Sequence, residues 1–195
     1  MGDMTDTVHW LPARELAHRL REREISSVEV LEHCLERIAQ YNPDLNAVVS
    51  LDPERARMRA EAADAAFARG EDWGPLHGIA MTLKDCHDVA GLRTTMGARV
   101  PFDRVPSEDG TVAARLHAAG ANIIGQSNVP PFLADYQSAN DIFGRTCNPW
   151  DLERTPGGSS DGAVAALAAG LTPLEFGSDL AGRTTGCGRI RGGVR

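Results

Sequence analysis

The sequence predicts an α/β protein in which a helical N-terminal region precedes a buried sheet. Two observations lead to this prediction. Apolar residues recur at helical spacing over the first seventy residues, and short apolar runs then alternate with further helical segments. Such alternation is typical of strands and helices packed in layers around a core. With 195 residues, the chain is long enough for one large domain or two small ones.

Three helices are predicted in the N-terminal region, residues 1–70. Pro12 suits the first turn of the first helix. Ser26 and Glu29 form a capping box that begins the second helix, and the segment "YNPDLN" is expected to end it. Asp52, followed by proline, begins a third helix that is rich in alanine and ends near residue 70.

The predicted sheet lies in residues 71–182. Residues 79–83 and 122–125 are short apolar runs typical of buried strands, and "PLEFGSD" is a third strand candidate. Helices are predicted over 111–119 and over "DGAVAALAAGL". The intervening stretch 126–160 is rich in Pro, Asn and Gly, and a connection of that length is more often functional than passive.

Charge and composition restrict the kinds of molecule that this chain could bind. The net charge is −7 with no basic face, which argues against nucleic acid. The sequence has no run of eighteen apolar residues that could span a membrane, and its N-terminus lacks the pattern of a secretory signal. We therefore expect a cytoplasmic protein with reduced thiols. The spacing of the cysteines argues against a zinc site, and no metal or cofactor is expected; the four are Cys34, Cys86, Cys147 and Cys187.

Lys84 is the only lysine, since the other nineteen basic residues are arginines. It follows directly after the apolar run at 79–83. Arginine stays protonated at any pH that a protein meets, whereas a buried lysine can lose its proton and act as a base. The residue is therefore a candidate general base, and the alternative is a lysine that caps the exposed end of a strand.

A glycine and serine cluster, "TPGGSSDG", precedes the last predicted helix, and several interpretations compete. No strand enters it and no phosphate-loop pattern is present, which argues against a phosphate cradle. The match to GxSxG at Ser160 fails as a nucleophile elbow because all six histidines lie upstream. A serine paired with a lysine base remains. An ordinary glycine turn, in which Ser160 and Asp161 shape the loop and cap the helix, is the structural alternative.

Four segments, in this order, resemble blocks of the amidase signature family: "PLHGIAMTLKDCHDVAGLRTT", "RLHAAGANIIGQSN", "FGRTCNPWDLERTPGGSS" and "AALAAGLTPLEFGSDLAG". The resemblance covers roughly residues 10–182. It implies the first part of an α/β/α amidase-signature sheet, incomplete at the C-terminus, and hydrolysis of carboxylic amides through a serine–cis-serine–lysine triad. By this resemblance Lys84 is the triad lysine and Ser159 is the bridging cis-serine. The backbone amides of Leu180, Ala181 and Gly182 would then bind the oxyanion.

The attacking serine of the family is missing, because Arg183 stands where the resemblance places it. Residues 183–195 form a tail with four arginines, four glycines and no acid, and they match nothing in the family. A frameshift or a truncated reading is the simplest explanation, and a true short paralogue is the alternative. We expect such a chain to be inactive as it stands.

The resemblance implies an amidase that acts on a small-molecule or acyl amide, with a homodimer left open as its assembly. The alternative within enzymes is the amidase subunit of a tRNA-dependent amidotransferase, which would release ammonia from glutamine. An inactive fragment or non-catalytic protein is the alternative outside enzymes. The residues Cys86 and His87, which follow the lysine, are expected to be structural, and Ser178 is expected to position the turn after it.

Overall fold

The structure is a computed structural model that describes residues 8–99 and 103–178. The helices are α1 (Ala13–Arg21), α2 (Ser27–Leu45), α3 (Pro53–Ala68), α4 (Thr111–Ala118) and α5 (Asp161–Ala168). The strands are β1 (Val48–Leu51), β2 (Ala80–Lys84), β3 (Asn122–Ser127), β4 (Ala139–Asn140), β5 (Gly144–Arg145) and β6 (Glu175–Phe176). The predicted α/β architecture is confirmed.

Local hydrogen bonds begin the N-terminal helices. In α2, the Ser26 hydroxyl accepts from the Glu29 amide, and the Glu29 carboxylate accepts from the Ser26 amide. The Asp52 carboxylate accepts from the backbone N–H of Arg55 at the start of α3. Asp64 of α3 also accepts from the first amides of α2, including that of Ser27 at 2.6 Å. The caps begin the two helices, and the Asp64 carboxylate holds α3 against the start of α2.

The segment "YNPDLN" ends α2, as the sequence predicts, but at its last residue and not at its first. The helix continues through Pro43 to Leu45, and Asn46 ends it in the left-handed conformation. A proline in a helix removes one backbone hydrogen bond. Because Pro43 lies in the last turn, the loss is confined to the end of the helix, and the Asn42 side chain binds the amides of Ala47 and Val48 just beyond it.

The main sheet has four strands in the order β1-β3-β2-β6. Strand β2 runs parallel to both β3 and β6, whereas β1 pairs antiparallel with β3. Strand β1 is not predicted from the sequence, in which the first seventy residues follow a helical pattern. Four residues of mixed burial between two helices carry little periodicity, and it is the pairing with β3 that orders them.

Helices cover both faces of this sheet. Ala80 and Ile124 pack into one apolar cluster with residues of α1, α2, α3 and α5. Met81, Leu83 and Ile123 pack into a second cluster with residues of α4. Side chains alternate between the faces of a strand, so neighbours such as Ile123 and Ile124 enter different clusters. Lys84 lies four residues after Ala80 and therefore belongs to the α5 face.

Candidate active site

Lys84 is the last residue of β2, and none of its surface is exposed. Its Nζ donates a hydrogen bond of 2.8 Å to Oγ of Ser159, across a separation of 75 residues. The two residues that the sequence analysis singled out are therefore in contact. The alternative interpretation of Lys84 as an exposed strand cap is wrong, because the sheet and the loop before α5 enclose the amine.

The turn before α5 brings Ser159 to the lysine. Gly157 has a φ of +85°, a conformation that side-chain-bearing residues rarely adopt. A Cβ on Gly158 would lie 2.4 Å from Oδ1 of Asp161, so the turn and this carboxylate pack directly against each other. The peptide bond between Gly158 and Ser159 is cis. Two successive glycines thus let the chain present the Ser159 hydroxyl to β2.

A second hydroxyl also reaches the amine. Lys84 Nζ donates to Oγ of Ser178 at 2.9 Å, and Ser178 exchanges hydrogen bonds with Ser160. Ser160 therefore links the turn before α5 to the segment after β6. From the sequence, Ser178 is expected to position the following turn, and its contact with the lysine is not predicted. The sequence signal for that contact is its place two residues after β6, a strand parallel to β2.

Neither Ser160 nor Asp161 caps α5, so the capping expectation is wrong. Ser160 occupies the N-cap position but makes no side-chain hydrogen bond to the helix. The Asp161 carboxylate instead accepts from the backbone N–H of Ser138, in the long loop after β3. Both side chains bind residues that are distant in the sequence, Ser178 and Ser138, whereas the capping rule considers only the residues next to the helix start.

Burial governs the titratable groups around Lys84. Burial raises the pKa of Asp161 to about 7, although hydrogen bonding to Ser138 and the charge of Lys84 lower it. Burial likewise raises the pKa of the Cys86 thiol to about 11, so a reactive thiolate is disfavoured at neutral pH. Burial, together with the charge of Lys84, lowers the pKa of His87. These shifts agree with structural roles for Cys86 and His87.

Asp85 is a residue near the site that the sequence analysis missed. Its carboxylate accepts hydrogen bonds from both the backbone amide and the hydroxyl of Thr95, and burial raises its pKa to about 6. It therefore ties the end of β2 to the loop ten residues later. Its position next to Lys84 could have drawn attention to Asp85 in the sequence, but its contact with Thr95 is visible only in the structure.

A cavity of about 320 Å³ opens beside Cys86, two residues beyond Lys84. It lies between the loop after β2 and the start of α4, at the carboxyl end of β2. Ligands of open α/β sheets bind at this edge. The lining combines apolar and polar side chains, among them His87, Thr94, Met96 and Thr111. Lys84, Ser159 and Ser178 do not line this cavity, so it adjoins the loop after β2 and not the contact between lysine and serine.

Glu175 of β6 provides a pH-dependent prediction. Burial raises its pKa from the ordinary 4.5 to about 8, even though the Thr82 hydroxyl donates to its carboxylate. A carboxyl group with a raised pKa binds its proton more tightly in the folded state, so its contribution to stability is complete below pH 4.5 and is lost as the pH rises to about 8. We expect Glu175→Gln to reduce this loss, as measured by thermal melts at pH 5, 7 and 9.

The Glu36→Gln variant is the control, because it removes a carboxylate of α2 at an exposed position. Its melting temperature should follow that of the unmodified chain at all three pH values. An equal loss of stability between pH 5 and pH 9 in the Glu175→Gln variant and the unmodified chain would contradict the prediction.

The oxyanion candidates Leu180, Ala181 and Gly182, and Arg183 at the nucleophile position, lie outside the described residues. Within residues 8–99 and 103–178, His, Cys, Asp and Glu side chains do not gather in any group of three that could hold a metal ion. In the same ranges, every helix is too short or too polar to cross a bilayer.

The chain resembles proteins of known family in sequence and in structure. The model of the Amidase family matches residues 29–184, which include Lys84 and Ser159. The A subunit of glutamyl-tRNA(Gln) amidotransferase from Moorella thermoacetica is 45% identical over 175 residues, and its counterpart from Roseiflexus sp. is 43% identical over the same length. Each alignment covers 90% of this chain and 36% of the relative, so the chain spans about a third of these proteins.

Solved structures agree. A structure of fatty acid amide hydrolase superimposes with a TM-score of 0.87 at 30% identity, covering 92% of this chain and 32% of that one. A structure described as a crystal structure of amidase gives a TM-score of 0.83 at 32% identity, covering 89% of this chain and 39% of that one. The sequence match over residues 29–184 and these superpositions lead to one conclusion: the chain belongs to the Amidase family.

Proposed function

We propose that this chain carries the lysine and the bridging serine of an enzyme that hydrolyses carboxylic amide C–N bonds. The observation on which the proposal rests is the buried 2.8 Å hydrogen bond between Lys84 Nζ and Ser159 Oγ. A serine hydroxyl is a weak base and a weak nucleophile by itself, and an amine that can be neutral activates it. Membership of the Amidase family supports the same chemistry.

The relay runs from the nucleophile to the lysine. Ser159 takes the proton of the attacking hydroxyl and passes its own to neutral Lys84, while the new C–O bond forms at the amide carbonyl. The proton then returns along the same path to the leaving nitrogen, and the C–N bond breaks. Water attacks the acyl-enzyme through the same groups and releases the acid. The hydrogen bond from Lys84 to Ser178 holds the amine in place during both steps.

The nucleophile position limits what this chain does alone. The resemblance places an attacking serine where Arg183 stands, and arginine has neither a nucleophilic oxygen nor an accessible neutral form. The relay residues are therefore present without the group that they serve. We propose that the chain with Arg183 is inactive, and that amide hydrolysis requires the relay together with the attacking serine found in the family.

A covalent probe tests the relay without requiring a complete substrate pocket. In an Arg183→Ser chain, we expect a fluorophosphonate to label the introduced serine. Labelling should slow by about 10²- to 10⁴-fold when Lys84→Met or Ser159→Ala is added, because each removes a proton-transfer group. The variant Ser107→Ala, at an exposed serine, is the control and should not change the rate. Equal labelling with and without Lys84 would refute the proposed relay.

A second candidate is the amidase subunit of a tRNA-dependent amidotransferase. It is favoured because the amidotransferase relatives described above are more similar to this chain in sequence than the amidase structures are. The substrate would then be glutamine, and the partners would be the other subunits and tRNA. Release of ammonia from glutamine, compared with hydrolysis of an aryl amide by the same Arg183→Ser chain, distinguishes the two candidates.

A further inference from the structure

Asp161 is a buried acid near Lys84 and Ser159, and it takes no part in the proposed relay. Its side chain is fully enclosed at the start of α5, two residues after Ser159. Oδ2 accepts from the Ser138 amide, whereas Oδ1 is buried without a hydrogen-bond donor among the described residues. An ionised carboxylate in such a place is costly unless a positive charge is near.

That positive charge is Lys84. Ser159 joins the two groups, because its hydroxyl contacts the amine and its backbone leads into the turn that packs against the Asp161 carboxylate. The charge of Lys84 favours the ionised form of Asp161 and lowers its pKa against the effect of burial. Electrostatic coupling is reciprocal, so ionised Asp161 must favour the protonated form of Lys84 to the same extent.

We propose that Asp161 is a positioning residue whose carboxylate retains the proton on Lys84. The pair has two forms with equal numbers of protons: carboxylate with ammonium, and carboxylic acid with neutral amine. Only the second form contains the base that the relay needs. Asp161 therefore sets the pH at which Lys84 becomes a base. The catalytic meaning of this inference rests on the proposed function, but the coupling itself does not.

Other ionisable groups near the pair are less well placed for this role. Asp135, in the loop after β3, is exposed, and its negative charge opposes the ionisation of Asp161. The carboxylate of Asp85 is occupied by Thr95. Burial favours the neutral forms of Cys86, His87 and Glu175. Within the part of the chain described, Asp161 and Glu175 each have one enclosed carboxylate oxygen without a donor, but only for Asp161 does the charge of Lys84 lower the pKa.

The single lysine makes the test direct. The full chain grown with ¹⁵Nζ-labelled lysine has one side-chain amine resonance, which reports Lys84 alone. In Asp161→Asn, which preserves shape and removes the charge, we expect its titration midpoint to fall by about 1–3 pH units. Asp135→Asn is the matched control, since it removes a nearby but exposed carboxylate, and it should not lower the midpoint.

An unchanged midpoint in folded Asp161→Asn would overturn the proposal. If circular dichroism shows that this variant is unfolded, the unmodified chain decides the question: its ¹⁵Nζ titration should show two inflections, the lower one arising from Asp161, and a single inflection would overturn the proposal. Because the resonance reports protonation and not turnover, its failure would leave the proposal of amide hydrolysis standing. Slow fluorophosphonate labelling of the Arg183→Ser chain would count against the proposed relay, but it would not contradict the coupling between Asp161 and Lys84.

Discussion

The unmodified chain is expected to hydrolyse no amide at an enzymatic rate. Arg183 occupies the position that the family resemblance assigns to the attacking serine, and removing the nucleophile of a serine relay costs on the order of a millionfold in turnover. The measurement is product release from glutamine and from an aryl amide, at enzyme concentrations high enough to detect a few turnovers per hour.

The control for this prediction is Ser159→Ala in the unmodified chain, which should give the same background as the unmodified chain itself. Hydrolysis that Ser159→Ala abolishes would show that another group attacks the carbonyl. Labelling of the unmodified chain by a fluorophosphonate, lost in the same variant, would lead to the same conclusion.

Replacing Gly162 by alanine is expected to destabilise the protein by about 2 kcal/mol or more, although alanine favours helices over glycine. Gly162 lies in the first turn of α5, where a Cβ would stand 2.3 Å from the backbone N of Asn128 and 2.6 Å from the Ala47 carbonyl oxygen. Backbone atoms cannot rotate away, so α5 must move from the sheet. Chemical denaturation of Gly162→Ala measures the free energy of unfolding.

The matched control is Gly110→Ala at the N-cap of α4. A Cβ there would meet its nearest atoms at 3.4 Å, which is ordinary van der Waals contact. The only expected loss of stability in Gly110→Ala is the small one that arises because alanine is less favourable than glycine at an N-cap. Equal stabilities of the two variants would contradict the close packing of α5. Because α5 begins two residues after Ser159, loss of the Lys84 contact should accompany the loss of stability in Gly162→Ala.

Local interactions account for the parts of the fold that were predicted correctly. The capping box at Ser26 and the aspartate cap at Asp52 join residues three apart, so they depend little on the rest of the chain. The apolar runs of β2 and β3 were recognisable because both are fully buried. Strand β1 was not predicted because its four residues, of mixed burial, acquire their structure from pairing with a distant partner.

The candidate site divides in the same way. The sequence alone determined the resemblance to the family, the single lysine, the serine of the glycine-rich turn and the arginine where that resemblance expects the nucleophile. The tertiary structure decided that Lys84 and Ser159 touch, that Ser178 binds the same amine, and that Asp161 is enclosed beside them. The physical reason is that hydrogen bonding and desolvation of a side chain depend on its neighbours in space, and those neighbours come from segments separated by long loops.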